Sequence, residues 1–308
     1  MEAFPWTYDQ YQRYSVLKQF LKFFYEGKDI RVLDVGGLSP DRDGKHLWLP
    51  LKAIFAGESI VVDTIFYKNK NFIQANGKFL PFENNSFNVV SALDVIEHIP
   101  EKDREDFIKE LGRVSKGSLF ISAPLCEKSI EQVEGLVFDQ INKFYGLKHQ
   151  QLLEHKKCGL PDVETTTQTL NKFFPSGESF SYGSLGNWLF NQTIKNCFLF
   201  KKNSKKIHCF LDKWMTGETN LSDFEPPFSH HFWICSKDFS QEDLRAGVNS
   251  IKTNLKNEAN IKTSFSDLVE FNQEIVKFST NTGIWTPLNY LSRFGKKIYY
   301  KIKLRLFT

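Results

Sequence analysis

Four short blocks of this chain hold residues suited by type and order to binding a charged organic ligand. Arg31-Val-Leu-Asp-Val-Gly-Gly37 is an apolar strand ending in an acidic residue and a glycine pair. Such a turn lets a ligand lie against bare backbone at the carboxyl edge of a parallel sheet. Ser59-Ile-Val-Val-Asp63 ends a second strand in a carboxylate, which can accept hydrogen bonds from both hydroxyls of a sugar diol. Ala75-Asn76-Gly77-Lys-Phe-Leu80-Pro81-Phe82 forms a turn, and Asp94-Val-Ile-Glu97-His98 ends a further strand at the same edge.

Two histidines could move a proton. His98 closes the fourth block, where capping the following helix is its alternative role. His155 lies in Gln150-Gln-Leu-Leu-Glu-His-Lys-Lys-Cys158. On a helix, Gln151, Glu154, His155 and Cys158 share one side by i, i+3, i+4, i+7 spacing. That face either lines a cleft, with Glu154 orienting the His155 imidazole, or is simply solvated. His98, His149 and His155 lack the spacing of a metal site, so no metal is expected.

These residues need a sheet to hold them. Residues 8–25 carry apolar positions at helical spacing and end at Gly27. Strands rich in Val, Ile and Phe follow at about 31–36, 59–64, 71–74, 87–93 and 117–122. Between the last two, Phe107, Ile108, Leu111 and Val114 mark the buried face of a helix. Alternation of strands and helices implies an α/β fold with a mostly parallel sheet and right-handed crossovers. Residues 128–200 read as a run of helices broken at Gly146, Gly159 and Pro175. Strand signals return at Ile207–Leu211 and His231–Cys235, so the sheet closes after a helical insertion. Beyond about 240 come polar helices and a basic, aromatic end.

Composition bounds the rest. An apolar content of 41% across 308 residues is enough for a real core and argues against disorder. A net charge of +4 does not single out nucleic acid, and none is expected as a partner. Five scattered cysteines without CxxC pairs argue against a disulfide framework and a structural zinc site. No basic region followed by an apolar run opens the sequence, and no segment has the length of a membrane span. A cytoplasmic setting is the expectation.

In their order, the four blocks resemble those of class I S-adenosylmethionine-dependent methyltransferases of the type 11 kind. The resemblance covers roughly residues 10–125 and implies a Rossmann-like seven-stranded sheet with its last strand, near 231–236, antiparallel. It implies S-adenosylmethionine as cofactor, with Asp34, Gly36 and Gly37 at its methionine end and Asp63 on its ribose. Asn76 stands where an Asp commonly meets the adenine amine, Gly77 offers an amide to the ring, and Phe79 and Leu80 supply apolar walls. Asp94 to His98 border the transferring methyl, which makes His98, His155 and Glu154 the catalytic candidates. The sequence departs from the family after Gly37, where the later glycines of the signature give way to Leu38-Ser39-Pro40. A nicotinamide dinucleotide site is the rival, but Gly36-Gly37-Leu-Ser-Pro lacks the G-x-G-x-x-G spacing that a pyrophosphate requires.

More narrowly, Glu154-His155 and Gly159-Leu-Pro161 are similar to a segment in methyltransferases of bacterial surface-polysaccharide assembly. That similarity implies a sugar or glycan hydroxyl as acceptor, with Tyr145, Phe180, Tyr182 and Trp188 available to stack on sugar faces or to fill the core. A quinone-like aromatic acceptor is the alternative, and a non-catalytic binding protein on the same fold is another. The expected organisation is a domain over 1–240, with a helical cap at about 126–200, and an extension over 241–308. Residues 291–307 mix basic and apolar side chains. They could rest on the inner face of an anionic membrane, dock on the domain, or bind RNA.

Overall fold

The computed structural model describes residues 6–40, 46–199, 204–218 and 222–257. Helix α1 (Tyr8–Tyr25) precedes β1 (Arg31–Val35), the short pair β2 (Ser39–Pro40) and β3 (Leu47–Trp48), and α2 (Leu51–Ile54). Then come β4 (Glu58–Asp63), β5 (Phe72–Gln74), β6 (Phe87–Leu93), α3 (Arg104–Val114) and β7 (Ser115–Ala123). Three helices follow, α4 (Lys128–Tyr145), α5 (Gln150–Cys158) and α6 (Val163–Leu170). The described chain ends with β8 (Ser176–Ser184), α7 (Leu185–Cys197), α8 (Ser204–Glu218), β9 (Phe228–Ser236) and α9 (Gln241–Asn257).

Seven strands form one sheet in the order β5-β4-β1-β6-β7-β9-β8. The pairings from β5 through β7 are parallel, and β9 runs antiparallel to both β7 and β8. Strand order reverses between β1 and β6, and open α/β sheets bind ligands at that switch point, beyond the carboxyl ends of the strands. The buried runs explain the arrangement. Val32 to Val35 are all buried, as suits a strand covered on both faces. Phe107, Ile108, Leu111 and Val114 of α3 pack on one face of the sheet with Val90, Leu119 and Ile121. Leu17, Phe20 and Phe24 of α1 pack on the other, together with Leu244, Val248, Ile251 and Leu255 of α9.

Helix α1 is held at its start by two acids distant in sequence. The Tyr8 amide donates to Asp212 of α8 at 3.0 Å, and its hydroxyl donates to Asp223 at 3.0 Å. Lys195 of α7 pairs with the same Asp212 at 2.5 Å. These bonds fix where the next turn of α1, carrying Arg13 and Tyr14, meets the sheet edge.

Two expected elements differ. Residues 207–211 lie within α8 and are not a strand. The run expected to be helical contains β8, which supplies the sheet's edge strand. Its inward side chains Phe180 and Tyr182 are therefore core residues, with Phe180 stacked on Phe232 at 5.5 Å, and neither faces a sugar. Residues 291–307 lie outside the described residues, as does most of the expected extension. Among the described residues, no helix is long and apolar enough to cross a membrane.

Candidate active site

The turn after β1 folds onto a buried carboxylate. Gly36 takes φ +75°, in the region that suits glycine, and its amide donates to the Val62 carbonyl at 2.7 Å. A Cβ on Gly37 would lie 2.1 Å from Asp34 Oδ2, and one on Gly36 would lie 2.4 Å from Val95 Cγ2. The glycine pair thus lets the turn close against Asp34 and the end of β6. Asp34 has no exposed surface. Its oxygens accept from Tyr14 Oη and Ser91 Oγ, each at 2.7 Å, so it supports the turn from beneath.

Burial pushes the Asp34 carboxyl up to about 6, against the bonds from Ser91 and Tyr14, which favour the ionised form. The folded state therefore holds this proton more tightly than the unfolded chain does. The resulting stability is complete below about pH 4 and is lost as pH rises through about 6. Asp34→Asn removes that component. The stability of the wild type relative to the variant should fall by about 3 kcal/mol between pH 4 and pH 7, read from urea unfolding at each pH. Parallel pH profiles for the two proteins would refute the assignment.

Beyond β4 and β5 the edge is open. Asp63 is half-buried, and its Oδ1 accepts from the Ile65 amide at 3.2 Å. Ile65, Phe66 and Phe79 are large apolar side chains left exposed on the loops that follow, at 59%, 70% and 74%. Leu80 is buried in the core and cannot serve as a wall. Asn76 is exposed and accepts from the Lys78 amide at 2.9 Å. A Cβ on Gly77 would come within 2.7 Å of Phe107, so this turn, too, needs its glycine. An acid at a strand end beside exposed apolar side chains fits a ribose and an adenine, the nucleoside part of S-adenosylmethionine.

At β6 the residues converge. Asp94 takes φ +54°, a left-handed conformation that Asp tolerates better than most residues. Its Oδ1 accepts from Ser122 Oγ at 3.0 Å, while Oδ2 meets the Arg13 guanidinium and His230 Nε2, the latter at 3.1 Å. Arg13 and His230 overcome the effect of burial and hold the Asp94 carboxyl well below the usual carboxylate range. Asp94 thereby ties α1, β7 and β9 to the end of β6, and both its oxygens are engaged by the protein.

The next turn, Ile96–His98, carries Glu97 and His98. Glu97 is 1% exposed, its Oε2 has no partner, and burial together with the Asp94 charge pushes its carboxyl well above the ordinary value. Helix α5 packs on this turn, and its Glu154, His155 and Cys158 face is half-buried there while Gln151 stays exposed. His98 Nδ1 lies 3.0 Å from Glu154, His155 Nδ1 lies 2.8 Å from Glu134 of α4, and the two rings stand 4.9 Å apart. Burial, and then His155, hold the His98 imidazole below its ordinary value, so it is neutral at pH 7. Arg104 locks this contact by donating to the carbonyls of Ile96, Ile99, Cys158 and Gly159.

His149 caps α5 by accepting from the Leu152 amide. Arg13, Tyr14, Glu134 and His230 were not among the sequence candidates. Buried polar residues on α1, such as Gln12 and Gln19, are the one trace of that helix's second role.

The sheet order and the open edge beyond β4 and β5 are those of an α/β fold that binds its ligand at the carboxyl ends of the strands. Residues 58–121 match a family described as a methyltransferase domain, Methyltransf_11. The match includes Asp63, Asn76, Gly77, Asp94, Glu97 and His98. The protein is an S-adenosylmethionine-dependent methyltransferase. No curated protein matches it by sequence.

Solved structures are similar in fold at low identity. One is phosphoethanolamine N-methyltransferase 2 of Haemonchus contortus, in complex with phosphomonomethylethanolamine and S-adenosylhomocysteine. It is 15% identical over 73% of this chain and 52% of that chain, with a TM-score of 0.42. Another is the YcgJ protein of Bacillus subtilis, 12% identical over 74% of this chain and 99% of that chain, with a TM-score of 0.41.

Proposed function

We propose that the protein transfers the methyl of S-adenosylmethionine to a hydroxyl oxygen, with a sugar or glycan as the favoured acceptor. The observation that carries this reading is the pair of imidazole–carboxylate contacts, His98–Glu154 and His155–Glu134, at the end of β6. When bound, the cofactor supplies a methyl activated by a sulfonium. A hydroxyl acceptor must give up its proton as the methyl arrives, and a neutral imidazole oriented by a carboxylate can take it. An amine acceptor would need desolvation more than a base.

In this reading Asp63 binds the ribose, Asn76 and Gly77 meet the adenine, and Gly36 and Gly37 lie at the methionine end. Asp34 and Asp94 shape the edge from behind. The glycan preference rests on the Glu154-His155 and Gly159-Leu-Pro161 segment. We assign residues 1–240 to the catalytic domain and 241–308 to an extension whose first helix docks on α1.

The test is incubation with S-adenosylmethionine and separate pools of nucleotide sugars, oligosaccharides, catechols and amines, with products read by mass spectrometry. Methyl ethers in the sugar pools support the proposal. Methylated amines alone, or no product although calorimetry shows cofactor binding, would overturn it. His155→Ala should lower turnover by roughly a hundredfold with cofactor affinity unchanged. A fall in both would mean that His155 is structural.

A further inference from the structure

Glu97, His98 and His155 come from two separate elements, yet each offers one ligand atom within 4.8 Å of the others. We propose that they hold a divalent transition-metal ion, of the zinc or iron(II) type, at the end of β6. Three features of the surroundings carry this assignment.

First, Glu97 Oε2 is a fully buried carboxyl oxygen without a partner. Leaving such an atom unpaired is costly, and a cation is the partner that suits it best. Second, each histidine already has its Nδ1 engaged by a carboxylate, His98 by Glu154 at 3.0 Å and His155 by Glu134 at 2.8 Å. This is how metal-bound histidines are held: a carboxylate fixes the tautomer and leaves Nε2, with its lone pair, to coordinate. Third, two imidazoles and a carboxylate suit zinc, iron(II), cobalt(II) or manganese(II), and three protein ligands leave positions open for a substrate.

Helix α5 supplies His155 and Glu154, α4 supplies Glu134, and the turn after β6 supplies Glu97 and His98. Arg104, bonded to carbonyls on both sides, holds the two halves together. The cap is thus the part of the fold that completes the site.

The catalytic meaning deepens the hydroxyl-acceptor reading and rests on it; metal binding itself does not. An acceptor hydroxyl bound at the open positions loses its proton to solvent more readily. Its oxygen then forms the bond to the methyl carbon while the carbon–sulfur bond breaks and its electron pair stays on sulfur. The ion takes the role otherwise given to an imidazole base.

Untagged full-length protein, stripped with EDTA, is titrated with Co²⁺ and followed by visible ligand-field absorption, with Zn²⁺ as competitor. One equivalent should saturate the wild type, and Zn²⁺ should displace it. His155→Ala should weaken Co²⁺ binding by roughly a hundredfold, and Glu134→Gln, one step removed, by roughly tenfold. Circular dichroism and calorimetric titration with S-adenosylmethionine confirm that each variant is folded. Absence of a one-equivalent Co²⁺ complex, or unchanged Co²⁺ affinity in folded His155→Ala, overturns the metal site. Methyl transfer with no Co²⁺ binding would do the same while leaving the hydroxyl-acceptor reading in place.

Discussion

Asp94→Ala is expected to destabilise the protein by about 3 to 5 kcal/mol, measured by urea unfolding at pH 7. The magnitude follows from what the substitution leaves behind. The side chains of Arg13 and His230 are only 12% and 6% exposed, and both turn to the same Asp94 oxygen. Removing that oxygen strands a buried guanidinium, which is far more costly than losing a surface ion pair. Asp9, 3.4 Å from Arg13, softens the loss and places the result toward the lower end. Ser122 also loses its acceptor, and alanine is poorly suited to φ +54°. Asp94→Asn separates these contributions, since it tolerates the left-handed backbone and keeps an acceptor while removing the charge. A loss below about 1 kcal/mol in Asp94→Ala would show that Arg13 re-pairs without cost and that the network is not structural.

The parts of the fold that were legible in the sequence are those whose pattern is local. Helix α1 shows its full length in its spacing, and the buried residues of α3 fall where the periodicity puts them, because α3 buries one face against the sheet. Strand β8 escaped detection because Ser-Gly-Glu-Ser-Phe-Ser-Tyr-Gly-Ser has turn-like composition. It is a strand because β9 pairs with it, and that partner lies about fifty residues away in Ser181–His231. Residues 207–211 failed for the opposite reason. Five residues cannot separate period 2 from period 3.6, and only Trp214 and Met215 reveal the helical stripe begun by Ile207, Phe210 and Leu211.

The same distinction runs through the site. Asp63, Asp94 and His98 stand in a recognisable order, so the edge could be located. Their partners could not, since Arg13, Glu134 and His230 reach the site only through tertiary packing. Asp34 and Asp94 read as cofactor ligands in the sequence. The structure turns both inward, where one carries the glycine turn and the other joins three elements.

Asp63→Ala should weaken S-adenosylmethionine binding by about 1.5 to 3 kcal/mol, the scale for charged hydrogen bonds, a rise in Kd of roughly 10- to 150-fold. Calorimetric titration checks it. The effect should fall on affinity and not on stability, because Asp63 is half-exposed and its own bonds are local, to the Ile65 amide and the Thr64 hydroxyl. Asp63→Asn keeps an acceptor for the Ile65 amide and one for a ribose hydroxyl while removing the charge, so its loss should lie between wild type and alanine. Equal losses in both variants would mean that the charge, and not the geometry, holds the ribose. Unchanged affinity in Asp63→Ala would refute the ribose assignment, even with methyl transfer intact. The comparison with Asp94 is the sharper test. Two carboxylates end parallel strands that flank β1, on either side of the switch point, yet one is consumed by the protein and the other is open. Their substitutions should therefore separate, Asp94→Ala shifting the unfolding midpoint and Asp63→Ala the binding isotherm.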